Sequence, residues 1–151
     1  MKTVLFICTG NTCRSPMAEC LLNALTREQG AQVRAASAGL CAPDGAPASE
    51  GALFAMRRRG LSLEGHRART VTREMLEDAD LAVCMGQSHL IALRARFPGL
   101  STPLRAFDDP PVSDPYGGDA AAYERAAGDI ARQLPALLAA LCPGGGRRTG
   151  C

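Results

Sequence analysis

The residues best equipped for chemistry lie in one short stretch, VLFICTGNTCRSPMAE, from Val4 to Glu19. Four apolar residues, Val4 to Ile7, run straight into a small polar loop that opens on Cys8 and carries Arg14 six positions later. Successive backbone N–H groups of Thr9, Gly10, Asn11, Thr12, Cys13 and Arg14 can curl into a nest. Gly10 and Asn11 are the residue types that tolerate the left-handed angles such a curl needs. A nest at a helix N-terminus is an anion site. Arg14 can fork two oxygens of a phosphate there, and the same positive field favours Cys8 as a thiolate. A thiolate beneath a bound phosphate attacks phosphorus, while the arginine and the amides hold the equatorial oxygens of the transition state. Ser15 can donate a hydrogen bond to the sulfur and make it a better leaving group in the second step. The competing reading of Cys8 is a small core residue at a strand end, the usual fate of a buried cysteine. The strand before it, the Ser-Pro helix start after it and the Gly-Asn pair inside the loop favour catalysis. A nucleotide loop of the form GxxxxGK[ST] occurs nowhere.

The elements that must hold this loop follow from pattern. Val4 to Ile7 reads as a buried parallel strand. A helix follows, with Ser15 as N-cap, Pro16 in the first helical position and an apolar face at Met17, Ala18, Leu21, Leu22 and Leu25, until Gly30 stops it. Val33 to Gly39 reads as a second strand, Asp80 to Met85 as a third, and TPLRAF as a fourth. Helices are predicted from Ser49 to Arg59, in a short turn opened by Thr72, from Gln87 to Phe97, and from Ala120 to Leu141 with Pro135 as a kink point. Strands alternating with helices imply an α/β fold, a doubly wound four-stranded parallel sheet in three layers. In such a sheet the ligand site lies beyond the carboxyl ends of the strands, which is where Cys8 falls.

A length of 151 residues suits one domain, here residues 1–142, followed by a Gly- and Arg-rich tail, 143–151, expected to be disordered. A formal net charge of +2 with 21% charged residues gives no reason to expect a nucleic-acid surface. No run approaches the roughly 18 apolar residues of a membrane span, and MKTVLFICTG turns polar too soon for a signal peptide, so the expected location is the cytoplasm. Seven cysteines are then expected to be mostly free thiols. Cys84 and His89 complete no ligand set, and His66 and His89 read as surface or capping residues, so no metal or cofactor is expected.

CTGNTCRSPMAE resembles, nearly residue for residue, the active-site loop of the low-molecular-weight protein tyrosine phosphatase family. That family carries its general acid in an Asp-Pro-aromatic motif, and Ser113-Asp114-Pro115-Tyr116-Gly117 occupies the matching place before the last helix. Ser37 to Gly39 and Ala79 to Leu81 also look like the family, so the resemblance spans about residues 2 to 142. It implies a phosphatase fold and a phosphocysteine intermediate. Its catalytic residues would be Cys8, Arg14 and Asp114, with Tyr116 as a pocket wall. The partners implied are phosphorylated proteins, met by a monomer or weak dimer. A carboxyl facing the thiolate can protonate the leaving group and then serve as base for water. Asp108 and Asp109 lie nearby and read as solvated turn formers.

Family members acting on phosphotyrosine usually have an aliphatic residue where this chain has Thr12, and aromatic pocket walls from the loop after Ser37-Gly39. Here that loop is LCAPDGAPAS, without an aromatic residue, and the chain has no tryptophan. Thr12 with DPYGGD instead looks like the bacterial branch that dephosphorylates phosphoarginine on proteins. The sequence therefore favours phosphoarginine, with phosphotyrosine as the alternative. An arsenate reductase would need a second closely spaced cysteine pair, which is missing: beyond Cys84 the next cysteine is Cys142. Cys13 is expected to trap oxidised Cys8 as a disulfide and protect it from irreversible oxidation.

Overall fold

A computed structural model of the chain describes residues 1–142. The tail expected at 143–151 lies outside the described residues. β1 (Lys2–Cys8) pairs in parallel with β2 (Val33–Gly39) on one side and β3 (Leu81–Cys84) on the other; β3 in turn pairs with β4 (Leu104–Ala106). The strand order is β2-β1-β3-β4.

Because β1 is central, both of its faces are buried, and the period of two along a strand divides them. Val4, Phe6 and Cys8 enter one core with Met17, Leu22, Met56, Tyr123 and Ile130. Leu5 and Ile7 enter the other with Leu76, Leu90 and Leu93. The helices α1 (Arg14–Gln29), α2 (Glu50–Arg57) and α5 (Ala120–Leu141) thus cover one face, and α3 (Arg73–Asp78) and α4 (Gln87–Arg96) the other. This is the doubly wound three-layer architecture expected from the alternating pattern. The chain leaves β1 toward β2 and later returns to β1's other side as β3, so the loops after β1 and β3 diverge at a topological switch point.

Several boundaries move. β1 begins at Lys2, two residues before the apolar run, and β4 shrinks to Leu104–Ala106. α5 runs continuously through Pro135. The consequential correction is at α1: its N-cap is Cys13, not Ser15, and Pro16 is its third residue. Ser15 is drawn inside because its hydroxyl serves the sulfur of Cys8 instead of a backbone amide. Pro16 is still tolerated there, since N–H groups of the first turn have no partner within the helix. Elsewhere the caps follow the usual chemistry. Ser49, Thr72 and Asp119 each accept from the amide three residues on, and Gly30 closes α1 at φ 67°.

Gly39 ties the sheet to the loop. A Cβ at this position would lie 2.6 Å from the Thr9 carbonyl oxygen and 3.0 Å from the Asn11 nitrogen. Only a residue without a side chain lets the end of β2 support the loop that follows β1.

Candidate active site

The loop from Cys8 to Ser15 is organised by Asn11. This residue is fully buried and sits at φ 56°, the left-handed region expected of it. Its side-chain amide donates to Ser15 Oγ and Ser37 Oγ, both at 2.9 Å, and its Oδ1 accepts from the Arg69 backbone N–H at 3.0 Å. Ser37 Oγ in turn donates a hydrogen bond to Glu19 Oε1 at 2.6 Å. The Asn11 carbonyl accepts from His66 Nε2 at 2.7 Å. A left-handed turn is thereby fixed by contacts from β2, α1 and the segment 66–69.

Two polar groups meet the sulfur of Cys8: the Asn11 N–H, which donates at 3.3 Å, and Ser15 Oγ at 2.9 Å. With Asn11 Nδ2 donating into Ser15 Oγ, the serine proton is free to go to sulfur. This network stabilises negative charge on Sγ. Cys84, at the end of β3, is pushed up to about 12, mainly by burial, and stays a thiol at neutral pH.

Cys8, Thr9, Gly10, Thr12, Cys13 and Arg14 line one cavity of about 320 Å³ together with Pro43, Asp114 and Tyr116. The structure thus brings the two sequence motifs together across a hundred residues. Asn11 and Ser15 lie behind the wall and act on it from within. Arg14 is buried; its Nη1 donates to the Val112 carbonyl at 3.3 Å and its Nη2 lies 3.6 Å from Asp114 Oδ2. Asp114 Oδ1 accepts from the Tyr116 N–H at 3.1 Å. Its side chain is 57% exposed, which leaves it open to water and to a leaving group. Asp108 instead accepts from Gln87 and does not line this cavity. A carboxylate, a guanidinium and a hydrogen-bonded sulfur around one cavity can support displacement at phosphorus.

A family model described as low molecular weight phosphotyrosine protein phosphatase matches residues 3–143. The chain belongs to this family. It is a phosphoprotein phosphatase, and hence a hydrolase. Among members of the low molecular weight family, it is 35% identical over 141 residues to a probable low molecular weight protein-tyrosine-phosphatase, EpsP, of Ralstonia solanacearum, covering 91% of this chain and 94% of that protein. It is 30% identical over 140 residues to a protein-arginine-phosphatase of Bacillus subtilis, covering 89% and 93%. The crystal structure of a low molecular weight protein tyrosine phosphatase from T. tengcongensis superposes with a TM-score of 0.87 at 35% identity, over 91% of this chain and 98% of that one.

Sequence reasoning missed three parts of the site. Pro43, from the loop noted only for lacking aromatic residues, forms a wall. His66, read as a surface or capping residue, holds the Asn11 carbonyl. His89, read likewise, is buried and meets Thr9 Oγ1 through Nε2 at 3.0 Å. These are the chain's two histidines, and that scarcity was the available signal. Cys13 is also more enclosed than its loop position suggests, with Sγ 3.4 Å from both Ser49 Oγ and Tyr123 Oη. Among the described residues no group of three or more His, Cys, Asp or Glu is placed to hold a metal, and no helix is long and apolar enough to cross a membrane.

Proposed function

We propose that this phosphatase works through a phosphocysteine intermediate and removes phosphate from phosphoarginine in proteins. The observation that carries the mechanism is the sulfur of Cys8, met by Ser15 Oγ and the Asn11 N–H at the floor of a cavity whose walls include Arg14 and Asp114. Cys8 Sγ attacks phosphorus, and Arg14 with the amides of residues 9–14 carries the charge of the equatorial oxygens. Asp114 protonates the departing guanidine nitrogen. Water then attacks the phosphocysteine, Asp114 takes its proton, and phosphate and the Cys8 thiolate are released.

The substrate reading rests on the cavity walls. Thr12 and Pro43 face the space, and Tyr116 is the one aromatic residue lining it. A flat phenyl ring would find one aromatic wall, whereas the Thr12 hydroxyl offers a guanidinium group a polar partner in the cavity that Asp114 also lines. A relative named protein-arginine-phosphatase supports this reading, and relatives named tyrosine phosphatases supply the alternative. The test is kcat/KM on paired peptides carrying phosphoarginine or phosphotyrosine. Preference for phosphoarginine is expected; preference for phosphotyrosine overturns the substrate reading and leaves the mechanism standing. Cys8→Ser tests the mechanism separately: turnover should vanish while vanadate binding persists.

A further inference from the structure

His89 occupies the first turn of α4, directly across the switch point from the loop after β1. It is 5% exposed, and its Nε2 lies 3.0 Å from Thr9 Oγ1. The other ring nitrogen, Nδ1, is buried and has no hydrogen-bond partner among the described residues. That asymmetry fixes the proton. Carried on Nδ1, it would be a buried donor with no acceptor, a costlier defect than an unfilled lone pair. A second proton would add that same defect and a positive charge. Burial above all, and the nearby Arg14 guanidinium, push the His89 ring below the ordinary histidine range, with Asp114 pulling the other way. The neutral Nε2–H form therefore donates to Thr9.

A threonine hydroxyl has one proton and two lone pairs. With His89 occupying a lone pair, the Thr9 proton is left to find an acceptor elsewhere. Thr9 is exposed and lines the cavity beside Cys8. We propose that His89 is a positioning residue that fixes the Thr9 hydroxyl as a side-chain donor to the bound phosphoryl group, adding to the backbone amides of the nest. This deepens the site reading above and depends on phosphate binding over Cys8.

The experiment is a double-mutant cycle of Thr9→Val and His89→Leu, read by kcat/KM on p-nitrophenyl phosphate and by the inhibition constant of inorganic phosphate. Each single variant should lose about tenfold in both, the scale of one hydrogen bond to a charged group, and the double variant should lose no more than either single. His89→Gln, whose amide nitrogen can reach the same place, should restore most of the loss. If His89→Leu fails to fold, Thr9→Val in the wild-type and His89→Phe backgrounds gives the same comparison, since phenylalanine keeps a ring but no donor. Nitrogen NMR of the ring at neutral pH should show Nδ1 unprotonated. Losses that multiply, a fully active Thr9→Val, or a proton on Nδ1 would each overturn the role of His89. Those results would leave the phosphate site intact, because that reading falls only if Cys8→Ser retains turnover.

Discussion

Residues 9–13 and the segment 107–119, the latter through Asp114 and Tyr116, border the same cavity, yet they are held in different ways. In the first segment Asn11 is fully buried, and its side chain and carbonyl bond Ser15, Ser37, Arg69 and His66. In the second, Asp114 is 57% exposed on its side chain and Tyr116 is 77% exposed. The bonds recorded at Asp114 are one local backbone contact and a 3.6 Å ion pair with Arg14. Charge stabilisation at phosphorus works best when the donors need no reorganisation, which suits a loop fixed from several sides. Proton transfer to varied leaving groups suits a loop that can adapt. Under the proposed mechanism, the contrast places transition-state binding in one segment, and leaving-group chemistry with substrate choice in the other.

The sharpest way to break that division is Asp114→Asn. It should slow turnover by about 10² to 10⁴, the usual range for losing a general acid, and less on substrates with good leaving groups. Thermal stability should barely change, because the carboxylate is exposed. A larger loss from Asp108→Asn would show that the acid is misassigned. Asn11→Ala should do the converse damage. It removes the donor to the Ser15 and Ser37 hydroxyls and the acceptor of the Arg69 N–H and places alanine at φ 56°, so unfolding stability should fall by about 2 to 4 kcal/mol. Denaturant titration and the phosphate inhibition constant read both effects, and an unchanged inhibition constant would deny that the network shapes the anion site.

What could be read from sequence divides along the same line. The sulfur's place in the loop, Arg14 and the left-handed Asn11 were legible because they are neighbours in the chain, where backbone sterics and spacing decide geometry. Ser15 was legible as a partner of sulfur but not as a residue inside the helix, because the choice between capping an amide and serving Cys8 is made by tertiary contacts. His66 and His89 were not legible, since their partners Asn11 and Thr9 lie 55 and 80 residues away and only the strand order brings them together. Pro43 was illegible for a related reason: a loop wall is defined by what faces it.

Smaller effects test the adaptable side and the rim. Thr12→Ile should shift the ratio of kcat/KM for phosphotyrosine over phosphoarginine peptides upward by about tenfold, the lower end of what a change of pocket wall achieves. An unchanged ratio removes Thr12 as the selector. Cys13→Ser should leave initial activity nearly intact yet reduce recovery by dithiothreitol after brief peroxide. Equal recovery in mutant and wild type would show that Cys13 does not protect Cys8.

The smallest expected effect lies behind the loop, at Tyr123. Its hydroxyl meets Cys13 Sγ at 3.4 Å, and α2 packs so closely on its ring that a Cβ at Gly51 would come within 2.2 Å. Burial first, then the hydrogen bond with Cys13, push the phenol from 10.0 up to about 12. Raised in the folded state, this group contributes stability that is fully present below pH 10 and is lost as pH climbs toward 12, because the unfolded chain releases its proton first. Tyr123→Phe should therefore cost only about 0.5 to 1.5 kcal/mol at neutral pH, the worth of one hydrogen bond, while making the alkaline decline shallower. Cys84, raised from 9.0 to about 12 and mainly by burial, adds its own decline from pH 9 upward in both proteins. The difference between wild type and variant should thus narrow only above pH 10, where Tyr123 titrates in the unfolded chain. Urea unfolding at neutral pH, pH 9 and pH 11 measures it. Parallel declines in the two proteins would mean that Tyr123 gains no protection from its place behind Cys13, and that the rigidity of the phosphate loop ends at the Asn11 network.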